Sequence, residues 1–554
     1  MSLSRKLPCT EPDEDLLTLF GQATNVPVAV RRGADFFMFF ATTVFPILES
    51  YRTRLDAMYC VDNGRPAWDP IRMLAVAILQ FVTRTPDRQA AEAVQYDRRW
   101  RMALRLSAQD AAFDPSLLTV FRKRLLDSGE ESLAFEAVLE FLVEHGWVAK
   151  RSRQRLDSTH VCGLLEHMSR LECVRKTLCG FLNDVDRSGL LPESWSGYWD
   201  YYVESKVDPR AKAPALKAKF AKAGNDIRTI WVACAGLKSL TNLDSFVLLQ
   251  RVFLENYELQ PTGEAEKRRA QPTGAVHNPH EPEAQWSSKS TTKDKTWIGY
   301  KTQAAETVRE ETCAPGEPTA NFLTAIVTQD ATASDKAGMS EVLAEQQLMG
   351  LEPPSTLYVD GAYVSSQALK DAKDQGRELR GPAPHSPHRG KVFTVEAFDV
   401  HVEERYAICP AKKRSSNCSQ LKARDTGKVD YRIEWNKSLC QSCPLLDQCV
   451  GPTQNHRTIV VGELHSFLQG RRLEMETKAF KLEMHSRNAI EGTQSELIRA
   501  HGMRRARYRG KGMVRLQNYM IGAACNISRL FRRIEWEAIS AHSACISTTP
   551  ALTG

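Results

Sequence analysis

Across 554 residues there is no run of about 18 uninterrupted apolar side chains, the length a helix needs to cross a bilayer. The opening stretch, MSLSRKLPCTEPDEDLL, lacks a charged head followed by an apolar core, so no secretory leader is expected. No internal repeat is visible, which leaves no sign of a repeat architecture. A large charge excess is missing too. Lys and Arg number 74 against 67 Asp and Glu, a formal balance of +7. That balance permits a polyanionic partner without demanding one. With no anchor and no leader, the expected place is the cytosol. There the 14 cysteines are mostly thiols or metal ligands and not disulfides.

What is present suits a globular protein of two or three domains, with 42% hydrophobic and 25% charged residues. Residues 46–130 read as helices. Asp69-Pro70 stands at N-cap and first-turn positions before an apolar run to Val82, and Thr85 to Val94 and Ser116 to Leu126 follow the same logic. Such a bundle, with basic faces at Arg122, Lys123 and Arg124, is either a structural domain or a DNA-end-binding domain of helix-turn-helix type. A helix over Ser132 to His145 precedes the basic segment Lys150 to Arg155. Residues 161–260 are largely helical, and 261–296, rich in Pro, Gly, Thr and charge, read as a loop or linker. Strand-like pieces then appear at Trp297–Lys301, Phe322–Thr328 and Thr356–Asp360. Helical stretches at Asp335–Leu348 and Ser365–Gln375 alternate with them. That alternation points to an α/β core. Residues 474–535 are helical again.

Three acidic residues are candidates for chemistry. In Thr356-Leu-Tyr-Val-Asp-Gly-Ala-Tyr363, Leu357 and Val359 suit a buried strand, and Asp360 falls at its carboxyl end before a Gly that permits a sharp turn. Sites of open α/β sheets lie at such ends, although an Asp there can also simply satisfy a turn. Asp157, after a basic run and Leu156, is either at a strand or a helix cap. Glu491 lies in Arg487-Asn-Ala-Ile-Glu-Gly-Thr. Helical i, i+4 spacing puts it on one face with Arg487, so an exposed ion pair is the competing reading. Two Asp and one Glu make joint sense if they converge. Phosphodiester chemistry is served by two Mg²⁺ ions (or Mn²⁺) roughly 3.5–4 Å apart, and Mg²⁺ prefers hard carboxylate oxygens.

The most basic window is Met503 to Arg515, with Arg504, Arg505, Arg507, Arg509, Lys511 and Arg515 and no acid. Gly510 and Gly512 allow close backbone approach. An apolar helical pattern from Leu516 to Leu530 lies behind it, which favours contact with a nucleic-acid backbone over a solvated tail. Five cysteines cluster at Cys409, Cys418, Cys440, Cys443 and Cys449. Cys440-Gln-Ser-Cys443 has zinc-knuckle spacing. Structural zinc and free thiols both remain open, with His456 and His465 as substitute ligands. Cys162, Cys173 and Cys179 read as packed thiols.

Taken in order, these segments resemble the DDE transposases of bacterial insertion sequences, in particular the family named insertion sequence eleven-eighty-two. The similarity spans about residues 45–535. It is carried by Pro86 to Trp100, Phe113 to Arg122, Leu156-Asp-Ser-Thr159, Trp297-Ile-Gly-Tyr-Lys301, Val359-Asp-Gly-Ala-Tyr363, Arg487-x3-Glu491-Gly-Thr, Arg507-Tyr-Arg-Gly510 and Gln517 to Arg529.

The resemblance implies an α/β RNase-H-like core with a mixed sheet, an N-terminal all-helical domain, and helical and cysteine-rich insertions. Asp157, Asp360 and Glu491 would hold the metal, and Arg487, with Arg499 and the basic window, would meet DNA. It implies an N-terminal segment (1–45), a DNA-binding helical domain (46–130), and core pieces at 131–160, 297–384 and 466–535. The remaining stretches would be a helical insertion with linker (161–296), a cysteine-rich insertion (385–465) and a tail (536–554). Partners would be double-stranded terminal inverted repeats and target DNA, bound by a homodimer or larger assembly at the nucleoid. Where relatives carry Tyr before the Arg and Lys after the Glu, this chain has Met484 and Ile498, with Arg499 adjacent. That departure leaves the end-processing route open. Two other functions compete: a transposase-derived DNA-binding regulator, and a metal-dependent nuclease without strand transfer.

Overall fold

A computed structural model describes residues 35–60, 64, 66–107, 109–165, 167–205, 213–289, 296–309, 316–385, 392–423, 427–451 and 453–547. Most of the expected N-terminal segment and the last seven residues of the tail lie outside them. The helices that matter for the site are α1 (Pro70–Val82), α2 (Asp87–Tyr96), α3 (Ser116–Asp127), α4 (Leu133–Glu144), α5 (Arg170–Arg187), α6 (Ala213–Cys234) and α7 (Asp244–Asn256). They continue with α8 (Asp335–Leu348), α9 (Ser366–Asp374), α10 (His465–Glu476), α11 (Lys478–Glu483), α12 (His485–Asn488), α13 (Ile490–Arg499) and α14 (Lys511–Ser547). The strands of the main sheet are β1 (Arg153–Cys162), β2 (Gln285–Ser288), β3 (Thr296–Thr307), β4 (Leu323–Asp330), β5 (Thr356–Tyr358) and β6 (Glu378–Arg380).

The sheet is mixed. β1 runs antiparallel to β3 and parallel to β5; β3 is antiparallel to β4 and β2, and β5 is parallel to β6. The five-strand core therefore reads β4-β3-β1-β5-β6, with β1 at its centre. Helices cover both faces, as an α/β core requires. One face buries Val161, Tyr300, Ala304, Phe322 and Ile326 against α1, α4 and α14. The other buries Leu156, Ala305, Val327, Leu357 and Val359 against α8 and α9. Period-2 alternation along β1 and β3 sends neighbouring residues to these opposite faces. The close approach of β1 to β3 needs Gly299. It sits at φ +153°, and a Cβ there would come within 2.1 Å of the Val161 carbonyl oxygen.

Local signals explain the helices. Asp69 accepts the Arg72 N–H at the start of α1, Ser334 accepts the Ala337 N–H before α8, and Ser365 accepts the Ala368 N–H before α9. Each is an N-cap satisfying an orphan donor of the first turn. The N-terminal helices share one apolar core with α14 and the sheet, so they are packed into the body of the protein. The helical stretch between β1 and β3 has its own core instead, built from α5, α6 and α7 around Phe181, Phe246 and Ile230.

Three readings change. The linker at 261–296 contains β2, a short polar edge strand paired to β3, too brief and too hydrophilic to show a period. The helix through the tail continues to Ser547 in α14. The cysteine-rich stretch, where the sequence suggests no strands, forms a two-stranded sheet of β7 (Asp399–His401) and β8 (Tyr406–Ile408). Beside that stands a three-stranded sheet of β9 (Asn417–Lys422), β10 (Val429–Glu434) and β11 (Thr458–Gly462). None of the helices among the described residues is long and apolar enough to cross a membrane.

Candidate active site

Asp157 lies in the middle of β1, ruling out the helix-cap alternative. Its strand was hard to read because the flanking polar residues are buried by distant partners. Gln154 accepts from Thr324 and Gln346, and Arg155 pairs with Glu306 at 2.6 Å. Asp157 points to the face where α12 and α13 pack. One carboxylate oxygen accepts the Ser158 N–H at 2.7 Å. The other lies 3.2 Å from Nη2 of Arg487. The same Nη2 stands 4.0 Å from Oδ2 of Asp360. Two acids far apart in the chain thus share one guanidinium nitrogen.

Asp360 lies two residues past the end of β5. Its Oδ1 accepts the Ala362 N–H at 2.8 Å, the local turn bond that such an Asp makes, and its Oδ2 faces the site. The turn role and the site role are divided between the two oxygens. Burial pushes the Asp157 carboxyl up from its ordinary value. The Ser158 N–H and the charges of Arg487 and Lys289 oppose the shift, while neighbouring Asp360 adds to it. Like charge acting between the two carboxyls is what a shared cation site produces.

Glu491 is exposed in the first turn of α13 and makes no ion pair or hydrogen bond among the described residues. The competing i, i+4 ion pair with Arg487 does not form: the helix breaks at Ala489, between α12 and α13, and Arg487 turns to Asp157. Gln494, three residues on from Glu491 and on the same helical face, donates to the Ser158 carbonyl oxygen at 3.1 Å. That bond seats the Glu491 end of α13 beside the strand residue that follows Asp157.

A buried network fixes this seating, and sequence reading missed it. Glu306 in β3 is fully buried. It bonds Arg155, Nη1 of Arg529 at 2.7 Å and the Thr493 hydroxyl at 2.7 Å. Arg155 also donates to the Ser486 carbonyl oxygen at 2.9 Å, so the strand bearing Asp157 holds the helix bearing Arg487. Glu306 sits in the polar run Thr302 to Thr307, which gave no sign of burial. The available signal was an Arg inside the apolar helical stretch Gln517 to Leu530. Charges are rarely buried there without partners.

The basic window lies across the carboxyl end of β1. The Cys162 N–H donates to the Arg504 carbonyl oxygen, and the Ala506 N–H donates to that of Cys162. Several of its cations already have protein partners. Arg504 donates to the His160 carbonyl oxygen at 2.7 Å. Arg507 lies over the Phe81 ring and donates to Thr85. Lys511 pairs with Asp330 at 2.9 Å, and Arg515 pairs with Glu131. Arg499, Arg505 and Arg509 are exposed, and among the described residues no ion pair holds their side chains. Charge counting along a sequence cannot separate these two groups.

Could the acids hold metal? Asp157 and Asp360 offer hard oxygens on a strand and just past a strand end and already share a cation; Glu491 is exposed nearby on α13, and the three carboxylates do not all lie within 4.8 Å of one another. The donor set fits Mg²⁺ or Mn²⁺. By contrast, the buried trio Glu496, His501 and Cys525, whose ligand atoms lie within 4.8 Å of one another, is a poor metal site. Arg529 and Arg532 both bond the Glu496 carboxylate. Of the five clustered cysteines, Cys409, Cys440, Cys443 and Cys449 line one small cavity and Cys418 does not.

Residues 408–531, which include Arg487, Glu491 and the cysteine cluster, match the family model described as a Transposase DDE domain. Residues 35–124, the N-terminal helices, match one described as a Transposase domain (DUF772). No curated protein matches the chain. The two matches support a transposase, and the first narrows this to the DDE class. Asp157 and Asp360 lie outside both matched stretches.

Proposed function

We propose that this chain is a DDE transposase that cuts the ends of a mobile DNA element and joins them to target DNA, with Asp157, Asp360 and Glu491 as its metal ligands. The reading rests mainly on one observation: Asp157 and Asp360 flank a single Arg487 nitrogen beside the helix that carries Glu491. The strand order β4-β3-β1-β5-β6, with its antiparallel meander followed by two parallel strands, supports the RNase-H-like reading of the core. The similarity to the insertion sequence eleven-eighty-two family belongs to the same proposal, as do a DNA-bound dimer or larger assembly and a place at the nucleoid.

When bound, a pair of divalent ions activates water or a 3′-hydroxyl and stabilises the leaving oxygen. The chain's own residues do the rest. Asp157 and Asp360 fix two ligand directions from rigid elements, and Glu491 supplies a third from α13. Arg487 is placed to neutralise an incoming phosphate, the geometry in which Arg is most useful. Offering pre-cut element ends and a target plasmid with Mg²⁺ should yield joined product. Hydrolysis without joining would make the protein a nuclease; end binding without either reaction would make it a regulator.

The exposed arginines are proposed as backbone contacts. Replacing Arg499, Arg505 and Arg509 by Gln should flatten the dependence of end-binding affinity on salt by about three units of log–log slope. Replacing Arg507, which packs on Phe81, should lower stability and leave the slope nearly unchanged. An equal slope in the triple variant and the parent would place the three arginines away from phosphate.

A further inference from the structure

We propose that Cys409, Cys440, Cys443 and Cys449 bind one structural Zn²⁺, and that Cys418 is not a ligand. Independently of the DDE reading, it keeps the Cys440–Cys443 knuckle that spacing suggests and joins to it Cys409 and Cys449, where sequence alone offers Cys409 with Cys418 as the second pair. All four line a single small cavity whose other walls include Phe393, Trp435, Leu446 and Val450. Apolar walls around four thiols match the surroundings of a closed structural zinc site, which keeps no position for water.

The local backbone is built for thiolates. Cys409 opens a tight turn in which Lys412 takes φ +60°. The Cys409 N–H donates to the Lys413 carbonyl oxygen, the Lys412 N–H donates to that of Cys409, and the Lys413 N–H points at the Cys409 sulfur at 3.4 Å. A backbone N–H on sulfur favours the charged form. Cys440 and Cys443 stand around a second turn, where the Cys443 N–H donates to the Cys440 carbonyl oxygen at 3.0 Å. Cys449 completes the ring. Four thiolates on Zn²⁺ carry two net negative charges. Arg457, which donates to the Cys449 carbonyl oxygen at 2.7 Å, and Lys413 both reach this cavity to offset them.

The sulfurs ring the cavity more widely than a closed tetrathiolate. No three of them lie within 4.8 Å of one another, whereas Zn–S bonds of about 2.3 Å set sulfurs about 3.8 Å apart. Binding therefore draws two turns and a short helix inward. The gain is a staple for a lobe with little else to hold it: its buried apolar core is Phe398, Val400, Val402, Ala407, Ile433, Trp435, Ile459 and Val461. Cores this small commonly need metal or disulfides, and none of these cysteines is in a disulfide. The other candidates fall away on position. Cys418 lies on β9, His456 is held by Asn455 and His465 is buried at the start of α10, and none of the three lines the cavity.

The full chain, expressed with zinc and freed of loose metal, should carry about one zinc by elemental mass spectrometry. Cys443→Ser and Cys449→Ser should each lose most of it, and Cys418→Ser should keep it. Cobalt added to the demetallated parent should give sulfur-to-cobalt charge-transfer bands and the d–d absorption of a tetrahedral site. That readout decides the matter even where a serine variant fails to fold. Metal-free protein with every clustered thiol titratable, thiols lost to a disulfide, or equal zinc loss in Cys418→Ser would each overturn the assignment.

Discussion

An Asp360→Asn variant should bind element ends as the parent does and cleave them at least about a thousandfold more slowly. The change is small in shape. An amide oxygen can still accept the Ala362 N–H that the Asp360 carboxylate accepts at 2.8 Å, so the turn after β5 persists. What goes is one of the two negative charges facing Arg487 and, in the proposed reaction, one hard metal ligand. Metal ions supply several kcal/mol of charge stabilisation in such transfers, and each 1.36 kcal/mol is tenfold in rate. End affinity has no reason to fall, because removing an acid near the phosphates reduces repulsion. Single-turnover cleavage and a binding isotherm on the same preparation check both halves. Cleavage within tenfold of the parent would remove Asp360 from the catalytic set.

The largest loss of stability should come from Glu306→Ala. Glu306 is fully buried and faces Arg155, Arg529 and Thr493 together. Truncating it leaves two guanidinium groups in the interior without their shared counter-charge. Breaking a buried pair from one side costs about 3–5 kcal/mol, to be read as a fall in denaturation midpoint. Glu306→Gln should cost less, because it keeps an acceptor for the Thr493 hydroxyl. The loss should also reach the site. Without Glu306, Arg155 is no longer fixed for its bond to Ser486, and the α12–α13 pair that carries Arg487 and Glu491 loosens on β1. An unchanged midpoint in the alanine variant would show that water or a rearranged side chain compensates the arginines.

Much of this site was legible before any coordinates. Leu357 and Val359 marked a buried strand and Gly361 a turn, so Asp360 could be put at a strand's carboxyl end. Asp157 was harder. The sequence Arg-Gln-Arg-Leu-Asp-Ser-Thr-His has no clean alternation, because its polar residues are buried by partners more than a hundred positions away. The Arg487–Glu491 spacing suggested a local pair, but a break at one residue redirected the Arg. The basic window was visible as charge, yet four of its six cations are already held by protein groups. Patterns within a segment report its own periodicity; they do not report which distant group will satisfy a buried charge.

The order of strands along the chain also matters while the protein is being made. β1 emerges first, but its neighbours β3 and β5 come only after the lobe of α5, α6 and α7, and α14 comes last of all. At ribosomal rates the wait between β1 and β3 is on the order of ten seconds. During it the intervening lobe can collapse on its own core, while the N-terminal helices lack the Leu516–Leu530 surface that later covers them. A nascent chain therefore exposes the apolar faces of its N-terminal helices until α14 has been made, and products cut short before Leu516 should aggregate or be cleared.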